Sequence, residues 1–334
     1  MTAALPAELC CPRCRMHLAE RPSALRCAGC AANYPMVAGI PDLRVCPDPY
    51  LDPEGDRAKA LALATRATRT DFTGLLQQYW EMTPTTPPPA AERYIRYALR
   101  GEERGRSALG MLGRGSGRLL DLGTGTGGLL AAGDAFQDRV GVDVALRWLV
   151  LARKRLEERG ARASLVCACA DHLPFPGRSF DGIVGLDLLA HCADPWAAVA
   201  ETSRLQQSGG RSLFTVANRY SLLGDPHTGL VGTAFLPRLW EARYVAWRGR
   251  RFDSHIRPLG PVETARMARR FFRSVEIALP RMGAAGQSLL RARDRRKAHA
   301  YERLRRIPLA RPLLLAFGPA FVLMCAEPVS EAPA

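Results

Sequence analysis

Two groups of residues have the types and spacing to do chemistry. The first lies in the run RLLDLGTGTGGLLAA, residues 118–132, where Asp121 is followed by glycines at 123, 125, 127 and 128. Gly123, Gly125 and Gly128 satisfy G-x-G-x-x-G. A glycine turn between an apolar strand and a helix lets a ligand lie against bare backbone, and the helix start offers it unpaired N–H groups. Two cofactors suit such a loop: a nicotinamide or flavin dinucleotide, and S-adenosylmethionine (SAM). The second group is Cys11, Cys14, Cys27 and Cys30, spaced C-x2-C-x12-C-x2-C. Two knuckles of this kind bring four thiolates to the corners of a tetrahedron, the ligand set of a closed structural zinc site. A head of about 45 residues buries too little surface to fold alone, and zinc binding would supply about 10–16 kcal/mol. Cys10 offers a competing register, though knuckle geometry prefers Cys11. The plainer reading is four unrelated buried thiols.

The elements that must position these groups are legible as patterns. After the glycine turn, Val140–Asp143 reads as a second strand ending in an acid and 145–159 as an amphipathic helix. Further strands are expected at 164–169, 180–186 and 212–217, with a helix over 194–206. Repeated β-α units of this length build a doubly wound parallel sheet with ligand at the carboxyl ends of its strands. Later segments add a helix at 261–272, a sixth strand at 274–279 and a seventh at 321–325. Upstream, 46–60 reads as a Pro-rich linker, and helices over 57–82 and 90–111 flank the breaker TPTTPPP, residues 83–89. These helices are placed to cover the cofactor pocket, with Tyr79, Trp80 and Tyr94 facing either ligand or core.

Three features separate the two cofactors. Asp121 stands two residues before the first glycine, where its charge suits the amino end of a methionine moiety and would repel a pyrophosphate. Asp143, 20 residues beyond Gly123, is placed to accept hydrogen bonds from both ribose hydroxyls, which suits either cofactor, so the other two distinguishing features lie downstream. Downstream come LPFPGRSFD (173–181), HCADPWAAVAETSRL (191–205) and SGGR (208–211). With LLDLGTGTG (119–127) and GVD (141–143), these motifs make residues 118–217 resemble the class I SAM-dependent methyltransferases, in the branch that includes quinone-biosynthesis C-methyltransferases. The resemblance implies a seven-stranded Rossmann-like α/β sheet. It also implies that Asp121, Gly123 and Gly125 contact the methionine part of SAM, Asp143 the ribose, and the loop Cys169-Ala170-Asp171 the adenine edge. Cys169 departs from the usual Asp or Asn, and a thiol is a poor acceptor for an adenine amino group. With NYPMVAGIPD (33–42), the stretch 9–43 resembles the zinc-ribbon family of small activator subunits that partner RNA and protein methyltransferases. The implied organisation is a zinc ribbon over 1–45, a linker and helical cover over 46–111, and a methyltransferase domain over 112–328 with an acceptor-side insertion at 218–260.

Methyl transfer from a sulfonium asks mainly for positioning and exclusion of water, with a base only when the acceptor must lose a proton. His191 after the fourth strand, and Asn218 and His227 in the loop after the fifth, are the catalytic candidates; capping and turn roles compete with each. Asp187, at the end of the fourth strand, faces pocket or solvent. Phe235, Trp240, Tyr244 and Trp247 in the insertion suit an apolar or ring-containing acceptor.

The 334 residues are 47% apolar and 24% charged, ordinary for a globular protein. The net charge is +15, and residues 238–334 hold 20 basic against 8 acidic side chains. That excess suits RNA phosphates, an anionic membrane surface or simply a solvated face. No secretory signal pattern or membrane-length apolar run appears, so a cytoplasmic protein is expected, with its ten cysteines as metal ligands or free thiols rather than disulfides. The sequence thus predicts a SAM-dependent methyltransferase with structural zinc, acting on a small or lipid-linked metabolite. Alternatives are an RNA methyltransferase using the ribbon and the basic C-terminal region, and a non-catalytic SAM-binding or scaffold protein.

Overall fold

The cysteine-bearing head folds as four short antiparallel strands: β1 (Leu18–Arg21), β2 (Ala24–Cys27), β3 (Asn33–Val37) and β4 (Ile40–Pro41). The structure is a computed structural model and describes residues 8–113, 115–223, 228–250, 252–281 and 292–329. Beyond β4 the chain does not detach into a linker. Asp42 bridges to Cys167 in parallel register and the Leu43 N–H donates to the Cys167 carbonyl at 2.7 Å. The head therefore covers an open sheet edge, whose backbone groups would otherwise stand exposed. Leu18, Leu25, Tyr34 and Leu43 join one apolar cluster with Val166, Phe175 and Phe180. Arg15 reinforces the junction, donating to the Leu173 carbonyl and, at 2.9 Å, to Glu201.

Four helices follow: α1 (Pro53–Ala67), α2 (Phe72–Glu81), α3 (Pro88–Leu99) and α4 (Gly101–Leu112). The sequence predicts two. Asp71 makes the first division by capping α2 through the Gly74 N–H at 2.7 Å, and Arg100 leaves helical geometry between α3 and α4. Likewise α1 begins inside the expected linker because Asp52 caps it and Pro53 occupies its first position. Tyr79, Trp80, Tyr94 and Trp148 pack against one another, with Trp80 stacked on Tyr94 at 5.0 Å. Tyr79 is buried in the core beside the helix that follows the second sheet strand, Trp80 and Trp148 are half-buried against it, and Tyr94 is exposed.

The main sheet comprises β5 (Arg118–Leu122), β6 (Asp138–Asp143), β7 (Ser164–Cys167), β8 (Phe180–Leu186), β9 (Gln206–Ala217), β10 (Phe272–Ala278) and β11 (Ala320–Pro328), in the order β10-β11-β9-β8-β5-β6-β7. Helices α5 (Gly128–Ala132), α6 (Leu146–Glu158) and α7 (Pro195–Leu205) make the crossovers. The expected parallel arrangement holds for β5 to β9, and the seven-stranded sheet as a whole is mixed. Strand β11 runs antiparallel to both β9 and β10, because the chain leaves β10 and re-enters at the same end of the sheet. Strand β9 also starts six residues earlier than expected. Residues 206–211, which include the SGGR motif, belong to the strand, with an irregularity opposite Phe180–Gly182. The segment after β9 contains α8 (Arg238–Trp247), and α9 (Pro261–Ala268) precedes β10.

Candidate cofactor and acceptor site

At the carboxyl end of β5 the chain turns through Gly123, Gly125 and Gly127, with φ of 72°, 51° and 74°. Side chains avoid this left-handed region, so the spacing of the glycines has a backbone cause. Close packing adds another. A Cβ on Gly128 would sit 2.6 Å from the Gly101 Cα, so α4 crosses directly over the start of α5.

Two carboxylates flank the turn. Asp143, at the end of β6, accepts from the Gly125 N–H and the Ala145 N–H, each at 2.8 Å. It thereby pins the loop that the sequence expects it to face through ribose, and each oxygen keeps a second lone pair. Burial pushes its carboxyl up to about 6 despite those two donors. Asp121 is more extreme. It is buried, and its Oδ2 is among the buried oxygens with no hydrogen-bond partner. Burial, together with the nearby Asp143 charge, pushes its carboxyl up to about 7. An orphaned carboxylate beside a bare-backbone turn is complementary to a cationic ligand with N–H donors and hostile to a pyrophosphate.

The stretch 120–214 matches the methyltransferase domain family. The chain is 35% identical over 125 residues to the aklanonic acid methyltransferase DauC of Streptomyces sp. (strain C5), covering 35% of this chain and 55% of that protein. It is 33% identical over 80 residues to the ubiquinone biosynthesis O-methyltransferase of Ruegeria sp. (strain TM1040), covering 24% and 32%. The chain thus spans about half, or less, of the length of these curated relatives. Among solved structures, a Haemonchus contortus phosphoethanolamine N-methyltransferase 2 aligns at 19% identity and TM-score 0.45, over 71% of this chain and 57% of its own. A complex of the Haloferax volcanii Trm112 methyltransferase activator with a putative methyltransferase aligns at 18% and 0.46, over 70% and 94%.

In the loop after β7 the structure adds a bond that the sequence reading of Cys169 did not expect. Its sulfur is bonded to that of Cys46. The expectation of free thiols fails for this pair because residues 42–43 run alongside β7, which carries position 46 up to the loop after that strand. Ala170 follows, half-buried, and Asp171 lies 3.1 Å from the His172 Nδ1.

The LPFPGRSFD motif proves to be scaffold. Asp181 accepts from the Arg118 N–H at 2.7 Å and fixes the start of β5, while Phe175 and Phe180 meet edge to face at 5.2 Å. The Leu173 N–H donates to Glu201 at 2.9 Å. Burial works against that carboxylate, but Arg204 and Arg15 outweigh it and hold Glu201 below the usual range.

Directly after β8, Asp187 has φ of 56°, strained for a non-glycine residue. It accepts from Arg104, from the Tyr97 hydroxyl at 2.8 Å and from the Thr215 hydroxyl at 3.0 Å. Sequence reasoning missed Tyr97 and Arg104. Both lie on the cover helices at i, i+7, and only the strain at Asp187 marks what they hold. His191 ends the short turn Leu189–His191 and is exposed. Asn218 sits where the turn after β9 meets the segment before β11. It is buried, its amide donates to the Leu315 and Ala316 carbonyls at 3.2 and 3.0 Å, and its oxygen accepts from the Tyr220 N–H at 3.0 Å. His227 lies outside the described residues.

The head brings its four cysteines together. All four sulfurs lie within 4.8 Å of one another, with Cys11–Cys30 at 3.6 Å and Cys14–Cys27 at 3.3 Å. Tetrahedral zinc with Zn–S near 2.3 Å asks for sulfurs about 3.8 Å apart. Backbone N–H groups of Gly29 and Cys30 point at the Cys27 sulfur, as they would at a thiolate. Cys10 is outside the cluster; its N–H donates to the Pro174 carbonyl at 3.0 Å.

Proposed function

We propose that this protein is a SAM-dependent methyltransferase acting on an apolar, small or lipid-linked metabolite, with a structural zinc ion in its head. The observation that carries the reading is the partnerless buried Asp121 oxygen at the glycine turn of a methyltransferase domain. SAM would supply a methyl group already activated on a sulfonium. Asp121 would accept from the methionine ammonium, Asp143 would use its remaining lone pairs on the ribose hydroxyls, and Gly123 and Gly125 would admit the ligand to the backbone. Residues Cys169, Ala170 and Asp171 would border the adenine, with the loop held by Cys46.

The rest is positioning. Tyr97 and Arg104 close the cover helices onto Asp187, which orders the acceptor side and excludes water from the transfer path. His191, on the turn directly after β8, is the candidate to take a proton where the acceptor must lose one. Cys11, Cys14, Cys27 and Cys30 would hold zinc, away from the transfer path. An apolar metabolite is favoured because the curated relatives are named for aklanonic acid and for ubiquinone biosynthesis, and because the segment after β9 carries Phe235, Trp240 and Trp247 outward.

The test is incubation with methyl-labelled SAM and a cell extract, then mass spectrometry of lipid, polar-metabolite and RNA fractions. Label in the lipid or apolar small-molecule fraction is expected. Label confined to RNA would replace the acceptor class. SAM binding without transfer to any fraction would favour the non-catalytic reading.

A further inference from the structure

Around the carboxyl ends of β8 and β9 the surface is apolar where a soluble face should be polar. The turn after β9 ties its parts into one region. The Leu222 N–H donates to the Phe317 carbonyl at 3.1 Å, Arg219 reaches the Leu236 carbonyl and Glu241 of α8, and Tyr220 packs against Phe235. Arg219 also donates to the Leu259 carbonyl, and nearby Arg257 donates to the Ala190 carbonyl beside His191 at 2.7 Å. The region therefore adjoins the acceptor side of the site.

Its side chains point outward. On α8, Leu239 is 88% exposed and Trp240 and Trp247 are 62% and 77% exposed; with Arg243 they share one helix face. Across the turn, in the segment 308–317, Leu309 is 89% and Leu313 64% exposed. Scattered exposed leucines need no explanation, but several on two segments tied through one turn, with two tryptophans among them, do. Basic residues surround them: Arg238, Arg243, Arg248 and Arg250 in and after α8, and Arg303, Arg306 and Arg311 around the second segment, all exposed. Tryptophan and leucine flanked by arginine is the chemistry of an interfacial surface, where rings and aliphatic chains enter the acyl boundary and guanidinium groups meet lipid phosphates.

We infer that this face seats the protein on an anionic bilayer, so that a membrane-dissolved acceptor enters directly at the ends of β8 and β9. The inference deepens the proposed function and rests on it for the identity of the site, but not for the docking itself. No helix among the described residues is long and apolar enough to cross a membrane, so the contact is peripheral. The arginines select an anionic surface over a neutral one, and the apolar residues select a bilayer over a nucleic acid.

The experiment is co-sedimentation of the full chain with phosphatidylcholine vesicles containing 0 or roughly 30% phosphatidylglycerol, at low and moderate salt. Wild type should sediment with the anionic vesicles, at least tenfold more weakly with neutral ones, and less as salt rises. The double variant Leu239→Glu/Leu309→Glu should lose at least tenfold in vesicle affinity. Both side chains are almost fully exposed, so its thermal midpoint should stay at the wild-type value, as should its calorimetric affinity for SAM. Absence of sedimentation with anionic vesicles would overturn the inference. So would wild-type vesicle binding by the variant, or a concentration-dependent dimer abolished by the same substitutions, which would make a second copy the occupant. Binding of an RNA homopolymer in preference to anionic vesicles would overturn it too. Vesicle binding without SAM binding would instead strike the proposed function and leave the docking standing.

Discussion

At the scale of single residues, Asp121 concentrates the cost of the site. An ordinary carboxyl titrates near 4 in an unfolded chain, whereas burial and Asp143 place this one at about 7 in the folded, ligand-free protein. The folded state therefore binds the extra proton between those values. Without ligand, the Asp121 contribution makes stability fall as pH rises from about 4 to about 7 and stay low above that. Asp121→Asn removes the titration. Urea denaturation of the ligand-free protein should find the variant more stable than wild type at pH 8, by on the order of 2–4 kcal/mol, with the gap closing towards pH 5. A gap independent of pH would mean that Asp121 is not the titrating group.

At the scale of elements, the most consequential contact is between α1 and α6. Asp56, on α1, accepts from the Leu146 N–H at 2.8 Å and the Arg147 N–H at 3.3 Å, so one helix caps another 90 residues away. The same carboxylate pairs with Arg147 and Arg44, both nearly buried, and Asp48 and Asp42 complete the network. Asp56→Ala would leave two buried guanidinium groups short of charge. It should cost about 3–5 kcal/mol, read as a lowered denaturation midpoint, and a loss under about 1 kcal/mol would contradict this role. Nothing in the sequence marks Asp56, because its partners are set by how α1 docks. The strands and helices from Arg118 to Ala217 were legible because apolar runs and 3.6-residue periods are local signals, and Asp121, Asp143 and the glycines were legible because the turn dictates them. The pairings of Asp187 with Tyr97 and Arg104, of Cys169 with Cys46, and of Asn218 with the 315–316 carbonyls arise from contacts across more than 80 residues of chain. No pattern along the chain encodes these. The antiparallel β11 escaped for the same reason, since direction depends on where its connection re-enters the sheet.

At the scale of the whole molecule, the head and the sheet share one core and one edge, so a zinc ion held as proposed by the four cysteines would be coupled to the whole fold. Treatment with a strong chelator, or Cys11→Ser, should remove one zinc per chain by elemental analysis. Either should lower the thermal midpoint of the entire protein by about 10 °C or more, in a single transition. Loss of metal that melts only a minor separate transition would show an independent head. Everything proposed about chemistry depends, finally, on a cation meeting Asp121. Calorimetric titration of the protein with SAM at pH 8 and pH 6, repeated with Asp121→Asn, tests that most directly. One-to-one binding at pH 8 is expected, several-fold weaker at pH 6 because the carboxyl must first lose its proton, and at least a hundredfold weaker in the variant at pH 8. Wild-type affinity in Asp121→Asn, or no binding of SAM to wild type at either pH, would contradict it.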